Sequence, residues 1–156
     1  MKILFVCTGN TCRSPLAEVI ARASIAQRAL PNTEVLSAGI FANAGSPASD
    51  GSLQVAQEQG LDLSAHRAQQ VTAELVQSAD LILTMGPHHL DGVEELGGEG
   101  KTHLLASYAS RGESSRAVSD PFGGDATVYR ATFRELSQEI GHVLDRVTTD
   151  YSQTHA

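Results

Sequence analysis

Tryptophan is absent from this 156-residue chain, cysteine occurs twice, aromatic residues make up 4% of the sequence, and 11 basic residues face 18 acidic ones. Each shortage excludes something. Cysteines at positions 7 and 12 alone are too few and too close together for a secreted disulfide framework, and they lack the further ligands of a zinc site, so no metal and no cofactor are expected. A formal net charge of −7, with no basic stripe interleaved with aromatics, argues against nucleic acid as a partner. No apolar run approaches the roughly 18 residues of a membrane span, and Met1-Lys2 followed by a short apolar run does not read as a signal peptide. A cytoplasmic protein without a membrane partner is expected. Internal repeats, charge blocks and low-complexity linkers are also missing. What is present, 41% hydrophobic residues in a chain of this length, suits one domain with a real core.

Short apolar runs at Ile3–Val6, Glu34–Ser37, Leu81–Met85 and Thr102–Leu105 have the length of buried parallel strands. Helical patterns separate them. Leu16, Val19, Ile20, Ala23 and Leu30 share one face; Leu53, Val55 and Ala56 belong to a helix that Ser46-Pro47 can start and Gly60 can stop; Tyr129, Phe133, Leu136, Ile140, Val143 and Val147 form the stripe of a long C-terminal helix. The stretch from Gly92 to Gly100 reads as a surface turn. Alternating strands and helices predict an α/β fold with a four-stranded parallel sheet covered on both faces.

Ligands of such sheets bind at the carboxyl ends of the strands, and there the first strand hands over to Cys7-Thr8-Gly9-Asn10-Thr11-Cys12-Arg13-Ser14-Pro15. An isolated cysteine ending a strand is ordinarily packing. In this string, however, each neighbour serves one anion cradle. Backbone N–H groups from Thr8 to Arg13 converge at the start of a helix, a setting suited to a phosphate dianion. The same field favours the Cys7 thiolate, lowering a thiol pKa from about 8.5 into a range of roughly 3.5 to 7.5, which makes Cys7 a candidate nucleophile. The planar fork of Arg13 matches two phosphoryl oxygens at once. Asn10 tolerates a left-handed turn, Ser14-Pro15 reads as an N-cap followed by proline at the first helical position, and the Ser14 hydroxyl can also donate to the Cys7 sulfur.

With these residues in view, Val6 to Glu18 resembles the phosphate-binding loop of the low-molecular-weight protein tyrosine phosphatase family. Ser37-Ala38-Gly39, Ala79 to Met85 and Asp120-Pro121-Phe122 resemble that family's later landmarks in order and spacing. The resemblance implies a single-domain three-layer sandwich with sheet order 2-1-3-4 over residues 1–150, followed by a short tail at 151–156. It implies a monomeric protein phosphatase, with phosphorylated proteins as substrates and a phosphocysteine intermediate. Cys7 is then the nucleophile, Arg13 binds phosphate and stabilises the transition state, and Asp120 acts in turn as general acid and general base. Thr8, Gly9, Asn10, Thr11, Cys12 and Ser14 line the loop, Phe122 meets the substrate, Ser37 braces Asn10, and Cys12 is a redox partner able to form a reversible disulfide with Cys7. Asp80 and the six histidines, His66, His88 and His89 among them, are left as structure or surface.

Substrate choice turns on few positions. Tyrosine-directed members usually carry a bulky apolar residue where this chain has Thr11, and often a second aromatic where Gly123 follows Phe122. A phosphotyrosine ring wants apolar walls. The smaller, polar Thr11 and the Asp-Pro-Phe-Gly-Gly run resemble the bacterial protein arginine phosphatases, so phosphoarginine is expected, with phosphotyrosine as the alternative. Arsenate reductases use the same type of loop but need further redox cysteines, and none follows Cys12. A phosphoprotein-binding module without catalysis is the remoter alternative; it would need neither Cys7 nor Asp120.

Overall fold

The computed structural model describes the backbone of residues 1–155 and the side chains of all of these except 151 and 153–155. Four parallel strands, β1 (Lys2–Cys7), β2 (Glu34–Gly39), β3 (Leu81–Thr84) and β4 (Thr102–Leu104), form one sheet in the order β2-β1-β3-β4. The predicted α/β class, strand number and order all hold. β1 is central, and Ile3, Leu4, Phe5 and Val6 are wholly buried. That is why this strand reads as an unbroken apolar run: successive side chains point to opposite faces, and both faces are covered.

Ile3 and Phe5 join the larger core with Leu16, Leu136, Ile140 and Val143, beneath α1 (Arg13–Arg28), α2 (Asp50–Glu58) and the long α6 (Ala126–His155). Leu4 and Val6 join a smaller core on the other face with Val76, Ile82 and Val93, beneath α3 (Ala73–Ser78) and α4 (Pro87–Val93). The sequence patterns had not singled out α3 and α4, which are six and seven residues long. Nor had they separated α5 (Leu105–Ala109) from the strand before it; Leu105 opens this helix instead of closing β4. Residues 151–155, set apart above as a tail, continue the backbone of α6. No helix among the described residues is long and apolar enough to cross a membrane.

Three local expectations change. α1 begins at Arg13 with Cys12 at the N-cap and no side-chain capping bond, so Ser14 lies inside the first turn. Its hydroxyl is engaged by the loop and is not free to cap. Ser49, not Ser46, caps α2, its Oγ accepting from the Ser52 N–H. The stretch from Gly92 to Gly100 is a surface turn only in part: α4 continues through Glu94–Gly98 with a kink at Gly97 (φ 99°), Val93 and Gly98 are buried while Glu95, Gly97, Glu99 and Gly100 are exposed, and the Thr102 hydroxyl donates to the Gly98 carbonyl at 2.7 Å.

One pairing in the sheet shapes everything above it. Gly39 lies opposite Cys7, and a Cβ built on it would fall 2.4 Å from the Thr8 carbonyl oxygen and 2.9 Å from the Asn10 nitrogen. Backbone cannot yield as a flexible side chain does, so only glycine lets the Cys7 loop fold over the end of β2. Gly39→Ala is expected to destabilise the protein by about 1–3 kcal/mol, the range of core overpacking, measured as the shift in urea midpoint at unchanged m.

Candidate active site

The loop from Thr8 to Cys12 spans the end of β1 and the start of α1, and its left-handed residue is Asn10 (φ 57°). Gly9 does not need to be glycine on steric grounds, since a Cβ there would meet only the Thr11 hydroxyl at 3.7 Å. Asn10 is fully buried and every polar group of its side chain is used. Nδ2 donates to Ser14 Oγ (2.8 Å) and Ser37 Oγ (2.9 Å), and Oδ1 accepts from the Gln69 N–H (2.9 Å). Its carbonyl oxygen lies 2.7 Å from Nε2 of His66, which therefore donates to it. The Ser37 hydroxyl donates a hydrogen bond to Glu18 (2.8 Å), and Glu18 pairs with Arg22 at 2.6 Å.

Cys7 is buried at the floor of this loop with Sγ 2.9 Å from Ser14 Oγ. Hydrogen-bond counting sets the direction when Cys7 is a thiolate. Ser14 Oγ accepts from Asn10, leaving one proton to give, and its other acceptor, the Ala38 carbonyl, is 3.5 Å away. The sulfur takes the hydrogen. Cys12 looks elsewhere: its thiol lies 3.3 Å from Ser49 Oγ and 3.4 Å from the Tyr129 hydroxyl. Burial, with the hydrogen bond to Cys12, holds the Tyr129 phenol above its ordinary pKa. Thr11 is anchored through its backbone, its carbonyl accepting from the Ser49 N–H at 2.9 Å.

Arg13 is buried against the loop. Nη1 donates to the Val118 carbonyl (2.9 Å), Nη2 lies 3.5 Å from Thr8 Oγ1 and 3.6 Å from Asp120 Oδ2, and Nε is buried without a partner. Asp120 is half exposed, its other oxygen accepting from the Phe122 N–H at 3.1 Å in an Asx turn. Asp120, more than a hundred residues away in sequence, is thus brought to the loop that carries Cys7 and Arg13.

The segment that delivers Asp120 is tied on three sides. The Val118 N–H donates to the Met85 carbonyl (2.8 Å), Val118 O receives Arg13, and Arg116 reaches α6, at 2.7 Å from Glu139 and 3.6 Å from Glu135. Glu139 is largely buried, so this pair is the firmer of the two. Asp80, at the opposite end of the sheet, accepts from the Lys2 N–H and plays no part here.

Three residues that sequence reading left aside belong to this neighbourhood. His66 holds the Asn10 carbonyl, as described. His89 is fully buried, its Nε2 2.9 Å from Thr8 Oγ1; burial first, then the charges of His88 and Arg13, push its pKa down to about 3. Phe41 is 80% exposed, unusual for a phenyl group, and its backbone N–H donates to the Thr8 carbonyl. Phe122, beside Asp120, is 76% exposed. The sequence marks none of the three: the exposure of Phe41 is visible only in the fold, and the partners of the histidines lie 56 and 81 residues away.

Arg116→Ala is expected to free the Asp120 segment without unfolding the sheet. Amide exchange of residues 116–122 should accelerate at least about tenfold, that of β1 staying unchanged, because local opening is uncoupled from global unfolding. Hydrogen exchange read by mass spectrometry checks this.

Comparison with known proteins agrees with this geometry. The family model for low molecular weight phosphotyrosine protein phosphatase matches residues 2–153. A protein-arginine-phosphatase of Geobacillus stearothermophilus is 39% identical over 151 residues, covering 96% of this chain and 97% of that protein. A probable low molecular weight protein-tyrosine-phosphatase, EpsP, of Ralstonia nicotianae is 51% identical over 147 residues, covering 93% and 94%. Among solved structures, a cysteine-to-serine mutant of YwlE arginine phosphatase with a phosphorylated active site serine superposes with a TM-score of 0.89 at 36% identity, over 96% of this chain and 97% of that one. The chain belongs to the low molecular weight phosphotyrosine protein phosphatase family.

Proposed function

We propose that this chain is a cysteine-dependent protein phosphatase that removes the phosphoryl group from phosphoarginine in proteins. The observation that carries the phosphatase reading is the Cys7 sulfur at 2.9 Å from a hydroxyl able to donate to it, in a loop closed by a buried arginine, with a half-exposed carboxylate 3.6 Å from that arginine. A thiolate so held is a nucleophile whose departure is eased by the same hydrogen bond. A pure phosphate binder needs neither the thiolate nor the carboxylate.

The chemistry runs in two displacements. Cys7 Sγ attacks phosphorus in line while Arg13 and the loop amides hold the non-bridging oxygens. The phosphorus–nitrogen bond breaks, Asp120 gives its proton to the leaving guanidino nitrogen, and a phosphocysteine remains. Asp120, now a carboxylate, takes a proton from water as that water attacks phosphorus. The phosphorus–sulfur bond breaks, phosphate leaves, and Ser14 stabilises the returning thiolate. The phosphorylated serine of the YwlE mutant supports a phosphoenzyme of this type.

Phosphoarginine as substrate rests on Thr11, which offers a small polar wall, and on the arginine phosphatases among the relatives. Phosphotyrosine is the second reading, favoured by the higher identity to EpsP and by the two exposed phenyl groups, Phe41 and Phe122. The same rings can stack on a guanidinium plane, so they do not decide. Two unpaired cysteines, one of them the nucleophile, suit a reducing cytoplasm.

Cys7→Ser is expected to lower turnover at least about a thousandfold. Asp120→Ala should lower kcat by about 10²–10⁴ with little change in KM, the usual span for general acid–base catalysis. Both are read as phosphate release from a phosphopeptide. Matched phosphoarginine and phosphotyrosine peptides then separate the substrates. Wild type should prefer phosphoarginine, and Thr11→Ile should shift the preference toward phosphotyrosine by at least about tenfold; a wild-type preference for phosphotyrosine would overturn the phosphoarginine assignment.

A further inference from the structure

The hydroxyl of Thr8 joins two elements that are distant in sequence. Its Oγ1 lies 2.9 Å from Nε2 of His89, on α4, and 3.5 Å from Nη2 of Arg13, on α1. A hydroxyl has one proton to give and two lone pairs to fill. A guanidinium only donates, so one lone pair faces Arg13.

The other partner is an imidazole with a single proton. His89 is fully buried, its ring 3.8 Å from that of His88, and burial together with the charges of His88 and Arg13 keeps it neutral, with Asp120 the one nearby opposing charge. Its other ring nitrogen, Nδ1, is buried without a hydrogen-bond partner and packs against Gly86, where a Cβ would come within 3.5 Å of it. A buried N–H left without an acceptor is the rarer orphan in folded proteins. The ring proton therefore sits on Nε2, and Nδ1 is bare. Nε2–H donates to Thr8 and fills the second lone pair. The Thr8 proton is then left with no protein acceptor among the described residues, beside the end of Arg13 that faces Asp120.

We propose that His89 is a positioning residue that makes the Thr8 hydroxyl a hydrogen-bond donor to the phosphoryl group, adding one side-chain donor to those of the loop backbone and Arg13. The assignment rests on the phosphatase reading above and deepens it. Thr8 touches the substrate; His89 acts only through Thr8. No covalent step is added, since the hydroxyl keeps its proton and shares it with a phosphoryl oxygen.

The tautomer is directly observable. In ¹⁵N-labelled wild type, a protonated Nε2 and bare Nδ1 at His89 are expected; a protonated Nδ1 overturns the proposal, because Thr8 would then spend its proton on His89. Binding of inorganic phosphate by calorimetry supplies the second test. Thr8→Val, nearly isosteric, should weaken phosphate about tenfold and Thr8→Ser should recover most of that loss. His89→Leu should reproduce Thr8→Val, whereas His89→Gln, which keeps an N–H near the Nε2 position, should recover most of the affinity. The Thr8→Val, His89→Leu double variant should bind no more weakly than Thr8→Val alone, provided thermal melts show each variant folded. Unchanged phosphate affinity in Thr8→Val, or additive losses in the double variant, overturns the proposal. Turnover of phosphopeptide by wild type tests the phosphatase reading separately, so either can fail without the other.

Discussion

The side-chain amide of Asn10 holds the site together. It sits in a left-handed turn with no exposed surface and ties Ser14 at the start of α1, Ser37 on β2 and the backbone of Gln69 to one point. A buried amide with any of these partners removed would carry the full desolvation cost of an unmade bond, so the three segments are set together or not at all. The position of Ser14 follows from this, and with it the hydrogen bond to Cys7. Cys7, the proposed nucleophile, is therefore poised by the same side-chain network that fixes the loop. Glu18 and Arg22 extend the same chain along α1 to the surface.

Such a network needs a rigid base, and the sheet supplies it. β1 lies between β2 and β3, apolar on both faces, so its carboxyl end cannot shift without disturbing two cores. The loop emerges where the connections on either side of β1 diverge, β2 lying to one side and β3 to the other, which is the place where open parallel sheets bind ligands. The close approach at Gly39 and the anchoring of the Asp120 segment through Val118 and Arg116 complete the frame. Rigid backbone holds the loop, and Asp120, the proposed general acid, arrives on a segment that is tied down but half open to solvent.

How much of this was legible in the sequence depends on how local the cause is. The phosphate loop could be read because its residues are contiguous and each type has its own reason to be there. The parallel sheet could be read because its two central strands, β1 and β3, are short, buried and almost wholly apolar. Ser14-Pro15 misled because its hydroxyl is bound to Cys7 and Asn10, a tertiary demand that overrides the capping preference of serine. The glycines between Gly92 and Gly100 misled in part: the chain does kink at Gly97, but the bond from Thr102 to Gly98 and the packing of Val93 hold the stretch against the fold. His66, His89 and Phe41 carry no pattern of their own, and only the fold joins them to the loop.

Recognition of phosphate and recognition of the group it leaves are built from different parts. In the proposed reaction the phosphoryl group would meet a loop fixed by the sheet, by Asn10 and by Arg13. In the proposed reaction the leaving group would meet Thr11, Phe41, Asp120 and Phe122, which sit at the loop tip or on connecting segments, and the two phenylalanines bury little surface. Substitution among these residues costs the core almost nothing, while substitution of Asn10, Gly39 or Arg13 disturbs everything that depends on them. A family so constructed can change its substrate without changing its fold. With such a construction, 39% identity to an arginine phosphatase and 51% identity to a probable tyrosine phosphatase, both over nearly the whole chain, do not by themselves name the substrate.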